Sequence, residues 1–311
     1  MYCIENGMYV SFDTIRLLQV NADYVFTQLF NGLILGMTLA LISIGLTIIF
    51  GMLKIINFAH GDLMLVGAYL AWMVSTEAGS LLAGILIAAI GVGILGLIIE
   101  RFTLRYVYGY DPLLQLLLTF GLAILIRGIV QLTWGKRGKN FSIPQWGEGM
   151  VDFVLFQYPV YRLFVIISTV VIVFLIYFII TRTDLGLVIR AGTEDREMVS
   201  ALGFDINKTF TIVFGFGAAI AGIAGALIGP ARGVYPTLGV ELLIPSFVVV
   251  VIGGLGNILG SVIAGILVGE LMVLTGTVYS PASDIIIFVV MAIVIVVRPG
   301  GLFGTVESDT R

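Results

Sequence analysis

The sequence predicts an all-α fold, a polytopic membrane helix bundle of eight transmembrane helices, or nine if the 242–275 region crosses twice. Three observations carry this. Of 311 residues, 59% are hydrophobic and only 11% charged, against about a quarter charged in soluble proteins. Mean hydropathy is +1.12, so a globule would have too little polar surface to cover itself and the apolar excess must face lipid. Uncharged stretches of spanning length also recur along the whole chain.

Taken in order, residues 1–23 mix Glu5, Asp13, Arg16 and Asp23 with apolar positions. They lack a basic start and a small-residue cleavage site, so the expectation is an interfacial segment and no cleaved signal. A transmembrane domain then covers 24–304, and 305–311 is a polar tail. Its spans read 24–50, a second beginning near Ile55 and running to 76, 78–99, 113–134 interrupted only by Arg127, 163–180 and 209–229. The stretch 242–269 is broken by Gly253-Gly254-Leu255-Gly256-Asn257 and reads as one kinked span or two segments. Residues 285–297 are short for a span unless extended to Ala282 and Arg298. Basic residues favour an orientation with Lys54, Arg101, Arg105 and the 182–208 loop in the cytoplasm, leaving the 75–81 turn outside.

Small residues recur at four-residue spacing: Gly32 and Gly36, Gly217 and Ala221, Gly225 and Gly229, Gly256 and Gly260, Gly265 and Gly269. In lipid, close backbone approach holds helices together. These positions read as intramolecular packing or as a subunit interface.

Polar residues inside the apolar spans are few. Asn57, His60, Gly61 and Asp62 open an apolar helix. One reading makes Asn57 a cap and lets the helix dipole favour Asp62; the other is a polar hinge lining a pathway, since a carboxylate at membrane depth demands a partner. Gly253, Gly254, Gly256 and Asn257 are pathway candidates where unwound backbone could line a cavity. Glu270 is the carboxylate deep in 242–283. An ion-coupled secondary transporter would have to gather Asp62, Glu241 or Glu270 in one place.

The 182–208 loop holds nine charged residues, Arg190 and Asp195 among them, and so lies in water. From Glu194 it reads as one short amphipathic helix, with Glu194 and Glu197 on one side, Met198 and Leu202 on another, and Gly203 at its C-terminal cap. An exposed apolar edge on a soluble loop wants a partner. Catalytic signatures are missing: the nearest text to a phosphate loop, Gly135-Lys-Arg-Gly138-Lys139-Asn140, lacks both the spacing and the magnesium-holding hydroxyl. One histidine and one cysteine leave no metal site and no Cys/His nucleophile pair, and a net charge of −3 gives no field for nucleic acid.

The run Gly45-Leu-Thr-Ile-Ile-Phe-Gly51, then Ile56-Asn57-Phe58-Ala59-His60-Gly61-Asp62 and Gly67-Ala68-Tyr69, resembles the permease subunits of high-affinity branched-chain amino acid ABC importers. Glu100-Arg101, the 253–257 break with Gly260, and Arg298-Pro299-Gly300-Gly301-Leu302-Phe303-Gly304 extend the resemblance across about 27–304. The family's coupling sequence, Glu-Ala-Ala-x-x-x-Gly, falls on Glu197 to Gly203, with Met198 and Val199 in place of the two alanines. The resemblance implies a cytoplasmic coupling helix and a non-catalytic subunit of a multi-pass protein of the cell inner membrane. It implies as partners a second related permease subunit or a second copy, two ABC ATPase subunits carrying ATP-Mg, and an extracytoplasmic substrate-binding protein. No cofactor is expected on this chain. The implied cargo is a branched-chain amino acid, with urea, short amides or other amino acids as alternatives.

Overall fold

The computed structural model of the chain describes residues 2–4, 8–10, 12–153 and 156–304, with the side chains of residues 1–22, Glu194, Arg196 and Glu197 outside the description. Of the expected interfacial segment 1–23, most of the backbone is described, as the short hairpin and the first turns of α1, without side chains up to residue 22; the tail 305–311 lies outside the described residues. The fold is helical: α1 (Phe12–Leu53), α2 (His60–Ala78), α3 (Leu81–Phe102), α4 (Pro112–Trp134), α5 (Val160–Arg182), α6 (Asp184–Glu194), α7 (Arg196–Ala201), α8 (Ile206–Arg232), α9 (Leu238–Gly253), α10 (Ile258–Val278) and α11 (Ser283–Val297). Two short antiparallel hairpins accompany them, β1 (Tyr2–Ile4) with β2 (Met8–Val10) and β3 (Met150–Asp152) with β4 (Gln157–Pro159).

Among the described residues, seven helices are long and apolar enough to cross a membrane: Asp23–Leu53 within α1, then α3, α4, α5, α8, α10 and the Ser280–Val297 segment. This is a multi-pass helical bundle. The 242–269 stretch is two helices, α9 and α10, because Gly254 and Gly256 turn the chain at φ +104 and +87. α2, long enough but less apolar, and α9, apolar but only 16 residues long, complete the bundle.

Caps explain where the helices begin. Ser80, Asp111, Thr183, Asp205 and Asn257 each accept a backbone N–H from the first turn that follows. The Lys208 backbone N–H beside Asp205 holds its exposed carboxyl below the usual carboxylate range.

α1 and α8 form the centre. α8 meets α1 where Gly217 faces the Gly45 carbonyl, meets α2 where Gly225 faces Met64 and Ala68, and meets α3 where Gly222 faces Ala88 and Val92. α1 meets α10 where Gly36 faces Gly265 and Ile266 and Gly269 faces Gly32 and Gly36. The small-residue spacing is thus intramolecular packing at these crossings. By contrast α4, α5 and α11 turn most of their surface outward, with exposed Leu117, Leu132, Phe174, Leu175 and Val296.

The loop that follows α5 lies at one end of the bundle together with the ends of α1 and α3. Gly192 rests on Met52, and Arg105 donates to the Asn207 carbonyl at 3.2 Å. This is the grouping of Lys54, Arg101, Arg105 and 182–208 that the charge pattern predicts. Gly225→Leu drives a branched side chain into the Met64 carbonyl, so it is expected to lower stability by at least ~1–3 kcal/mol. Gly121→Leu on the open face of α4, where nothing lies within 4 Å, is expected to be neutral. Thermal unfolding of the purified chain in detergent compares them, and equal effects refute the packing assignment.

Candidate functional site

α1 ends at Leu53, and Lys54 turns the chain at φ +57. Residues 55–59 then run back along α1 without helical structure until His60, whose ring Nε2 donates to the Ile42 carbonyl at 3.1 Å. That carbonyl lies about 16 Å back along α1, at ~1.5 Å per residue. α2 therefore starts inside the bundle, and Gly45 leaves the space its imidazole fills.

Asn57 does not cap the helix, as one reading had it. Its Oδ1 accepts from Ala59 N at 3.0 Å and closes the turn before α2, while the cap position, Ala59, has no side-chain cap. The physical reason is that the chain must bend into the bundle before the helix can begin. Thr119 of α4 steadies the segment by donating to the Ile56 carbonyl at 3.1 Å, and Phe58 packs between Phe120 and Phe247.

Asp62 sits in the first turn of α2 and is fully buried. The dipole reading is incomplete, because Arg127 of α4 binds it in bidentate fashion, Nε to Oδ1 at 3.0 Å and Nη2 to Oδ2 at 2.8 Å. A lone carboxylate at membrane depth costs a few kcal/mol, and a planar guanidinium matches both oxygens. The sequence showed both charges, each isolated in an apolar stretch. That isolation was the signal that they pair.

The first turn of α9 abuts the first turn of α2, with Gly61 against the Gly239 carbonyl and Leu243. Ser43 of α1 donates to the Ser246 carbonyl at 2.9 Å. Glu241, exposed in the first turn of α9, accepts from Tyr235 Oη at 2.7 Å and Thr237 Oγ1 at 2.9 Å. Glu270 of α10 lies instead against Gly32 of α1. Midway along α1, Asn31 Oδ1 accepts from both Tyr158 and Arg162. Asp62, Glu241 and Glu270 therefore occupy three places with three sets of neighbours, and no group of three His, Cys, Asp or Glu among the described residues could hold a metal ion.

At the opposite end, Arg190 donates to the Ile180 carbonyl and so closes the end of α5. Thr193 and Gly256 both touch Gly51 of α1. The short helix expected from Glu194 is α7, which begins two residues later, at Arg196, after the separate helix α6. Glu194 ends α6, and Asp195, extended at φ −147, accepts from Met198 N at 2.9 Å and starts α7 at Arg196. An Asp that can cap a new helix ends the old one. The side chains of Glu194 and Glu197 lie outside the described residues. Val199 turns inward, whereas Met198 is 57% and Leu202 69% exposed. Gly203, at φ +90, ends the helix in the left-handed conformation. Phe204, which the sequence reading passed over, is exposed beside them.

The 253–257 break is not open backbone. Leu302 N donates to the Ile252 carbonyl at 2.8 Å, Phe303 N to Gly253 at 3.2 Å, and Asn257 Nδ2 to the Phe303 carbonyl at 2.9 Å. Gly254 has Gly300 and Gly304 against it, and Gly253 packs on Gly260. Two motifs far apart in sequence thus form one structure. It shares a small cavity of about 60 Å³ with Thr47, Gly51, Arg190 and Thr193. At the end of α3, buried Glu100 accepts from Tyr108 Oη at 2.9 Å and from Thr211 and Arg105, fastening the end of α3 to the start of α8.

The sequence profile of the family described as branched-chain amino acid transport system, permease component, matches residues 28–295. The chain belongs to this family. It is 32% identical over 300 residues to the high-affinity branched-chain amino acid transport system permease protein BraD of Pseudomonas aeruginosa, covering 91% of this chain and 96% of that one. It is 31% identical over 302 residues to the permease protein LivH of Escherichia coli K12, covering 92% and 97%. A probable LivH of Methanocaldococcus jannaschii is 24% identical over 287 residues, 86% of this chain and 88% of its own. No solved structure matches the chain significantly. This permease family supplies transport subunits, and the multi-pass helical bundle agrees with that role.

Removing Arg127 strands a fully buried carboxylate, at a cost of ~3–5 kcal/mol. Removing Asp62 leaves a guanidinium whose side chain is 25% exposed. Arg127→Leu is therefore expected to destabilise the permease more than Asp62→Leu, and the double variant is expected to recover most of the loss. Thermal unfolding of the three variants measures this, and additive losses would falsify the pairing.

Proposed function

We propose that this permease is the membrane subunit of a binding-protein-dependent ABC importer and forms half of a pathway for branched-chain amino acids. A second permease subunit, related or identical, supplies the other half. The cargo follows what the BraD and LivH relatives carry by name. The 182–208 loop lies in the cytoplasm of an inner-membrane protein, and the chain crosses nine times, α2 and α9 each completing a crossing that their preceding non-helical segments begin. An extracytoplasmic binding protein delivers the cargo at the far end.

The observation that carries this reading is the short helix α7. In a water-exposed loop it holds Met198 and Leu202 outward, with Phe204 just beyond, and is closed by Gly203. Two ATPase subunits, with ATP-Mg bound to them, dock on this edge of each permease through residues Glu194 to Gly203. α6 transmits their closure, because Arg190, Gly192 and Thr193 rest on the end of α1 and beside Gly256. Asn57, His60, Gly61, Asp62 and Glu270 belong to the pathway and its gate, while Gly253, Gly254, Gly256 and Asn257 form the joint beneath it. This subunit catalyses nothing itself.

In proteoliposomes holding the assembled importer and its binding protein, leucine uptake is expected to require ATP and to ignore ion gradients; uptake driven by a gradient alone overturns the reading. Met198→Asp with Leu202→Asp, or Gly203→Leu, is expected to abolish ATPase co-purification or coupled uptake at least about tenfold, the loss of a hot-spot contact of ~1.4 kcal/mol or more. Insertion of the chain is expected to persist. Normal coupled uptake in both variants removes the loop from the docking role.

A further inference from the structure

Glu270 of α10 departs from the pattern set by the other buried acids of the bundle. Asp62 has both oxygens on Arg127, and Glu100 accepts from Tyr108, Thr211 and Arg105. Glu270 is half-buried, and its Oε2 is sealed from solvent yet accepts no hydrogen bond. A carboxylate oxygen so placed is costly unless a donor reaches it.

A cation lies close by. Oε2 rests against Gly32 of α1, while the neighbouring Asn31 accepts from Tyr158 Oη at 3.2 Å and from Arg162 at the start of α5. Burial raises the Tyr158 hydroxyl above its usual range, Arg162 pulls it down and Glu270 pushes it up, so both charges reach it. Among the described residues Arg162 has no ion pair within 4.0 Å and gives its guanidinium to a neutral amide oxygen. A carboxylate is the stronger partner for that fork. Cation and anion thus stand beside the same tyrosine without meeting.

The two sides are held differently. Aromatic rings clasp the β3–β4 hairpin to α1: Phe156 stacks on Phe26 at 5.7 Å, and Phe30 meets Phe156 at 5.0 Å and Tyr158 at 5.1 Å. Arg162, just after the hairpin, stays with α1. α10 instead crosses α1 over small residues, Gly265 against Ala40 and Gly269 against Gly36 and Gly32. Such a seam has few side chains to interlock, so it suits the small sliding steps of packed helices. Glu270 directly follows Gly269, and Ile258, the first residue of α10, lines the same small cavity as Thr193 of α6.

We propose that Arg162 and Glu270 are the two halves of a latch at the end of the permease away from the 182–208 loop. In the state the structure shows, Asn31 holds Arg162. In the other state of the transport cycle α10 brings Glu270 to the guanidinium, and an ion pair replaces the bond to the amide. The inference rests on the permease reading and deepens it, since it names two positioning residues through which movement at the ATPase end changes contacts at the far end.

The test uses the assembled importer with its binding protein, in proteoliposomes for ATP-driven leucine uptake and in nanodiscs for thermal unfolding, first without nucleotide and then trapped with ATP and vanadate. Glu270→Gln is expected to lower uptake about tenfold, as loss of a charge-assisted hydrogen bond does, and to lower the melting temperature in one of the two states only. Arg162→Gln is expected to lower it in both, because it loses Asn31 in one state and Glu270 in the other. Exchanging the charges, Arg162→Glu with Glu270→Arg, is expected to recover most of the uptake, since the Asn31 amide donates to a carboxylate as readily as it accepts from a guanidinium. Full uptake in Glu270→Gln shows that the carboxyl works uncharged and overturns the latch. Equal shifts of its unfolding in the two states, the mark of a merely structural role, overturn it as well. If the parent imports leucine with ATP while Glu270→Gln and Arg162→Gln match it, only the latch fails. If the parent imports no leucine, the permease reading fails and the latch with it.

Discussion

Backbone that leaves a helix inside a packed bundle must find its hydrogen-bond partners there, and two segments of this chain do so. Residues 54–59 and 233–237 both enter the bundle without helical structure, and the helices they start meet at Gly61 and Gly239. Everything around that contact serves to satisfy or shield it. His60 reaches the Ile42 carbonyl, Thr119 the Ile56 carbonyl and Ser43 the Ser246 carbonyl. The glycines let α1, α2, α8 and α9 come close enough for those bonds to form.

The same contact accounts for the placing of the acids. Two helix N-termini with partial positive charge face each other, and each carries a carboxylate in its first turn, Asp62 in α2 and Glu241 in α9. Asp62 is sealed from solvent and takes a full counter-charge from Arg127. Glu241 is exposed and makes do with two hydroxyl donors. The Asp62–Arg127 pair then has a second consequence. It fixes α4, a helix with a largely outward surface, to the centre of the bundle, so the charge that steadies α2 also holds a peripheral helix in register.

At the other end, the cytoplasmic one in the proposed reading, the parts converge on the end of α1. The break after α9, the terminal Arg298 to Gly304 segment and α6 all meet near Gly51 and Gly256. A push on α7 has a short route through α6 to α1 and α9, and α9 leads back to the Gly61 contact. The geometry therefore links the loop to the buried helix starts through packed glycines and hydrogen bonds, with no long flexible joint between them.

Much of this was legible in one dimension. Apolar stretches gave the membrane class and most spans, because lipid imposes a length and a composition on any helix that faces it. The small-residue spacing gave close packing, and Met198, Leu202 and Gly203 gave an amphipathic turn with a defined end. The boundary at Asp195 was missed because a cap is a local choice that helical periodicity does not register. α2 and α9 were harder to delimit: helices that begin inside protein need neither the length nor the apolarity of a lipid-facing span. What the sequence could not determine was partnership. Asp62 with Arg127, Asn257 with Phe303, and Ser43 with Ser246 are separated by tens of residues, and only the packing of the bundle brings them together. Hydropathy and periodicity measure each segment against its solvent, whereas these contacts depend on which segments become neighbours.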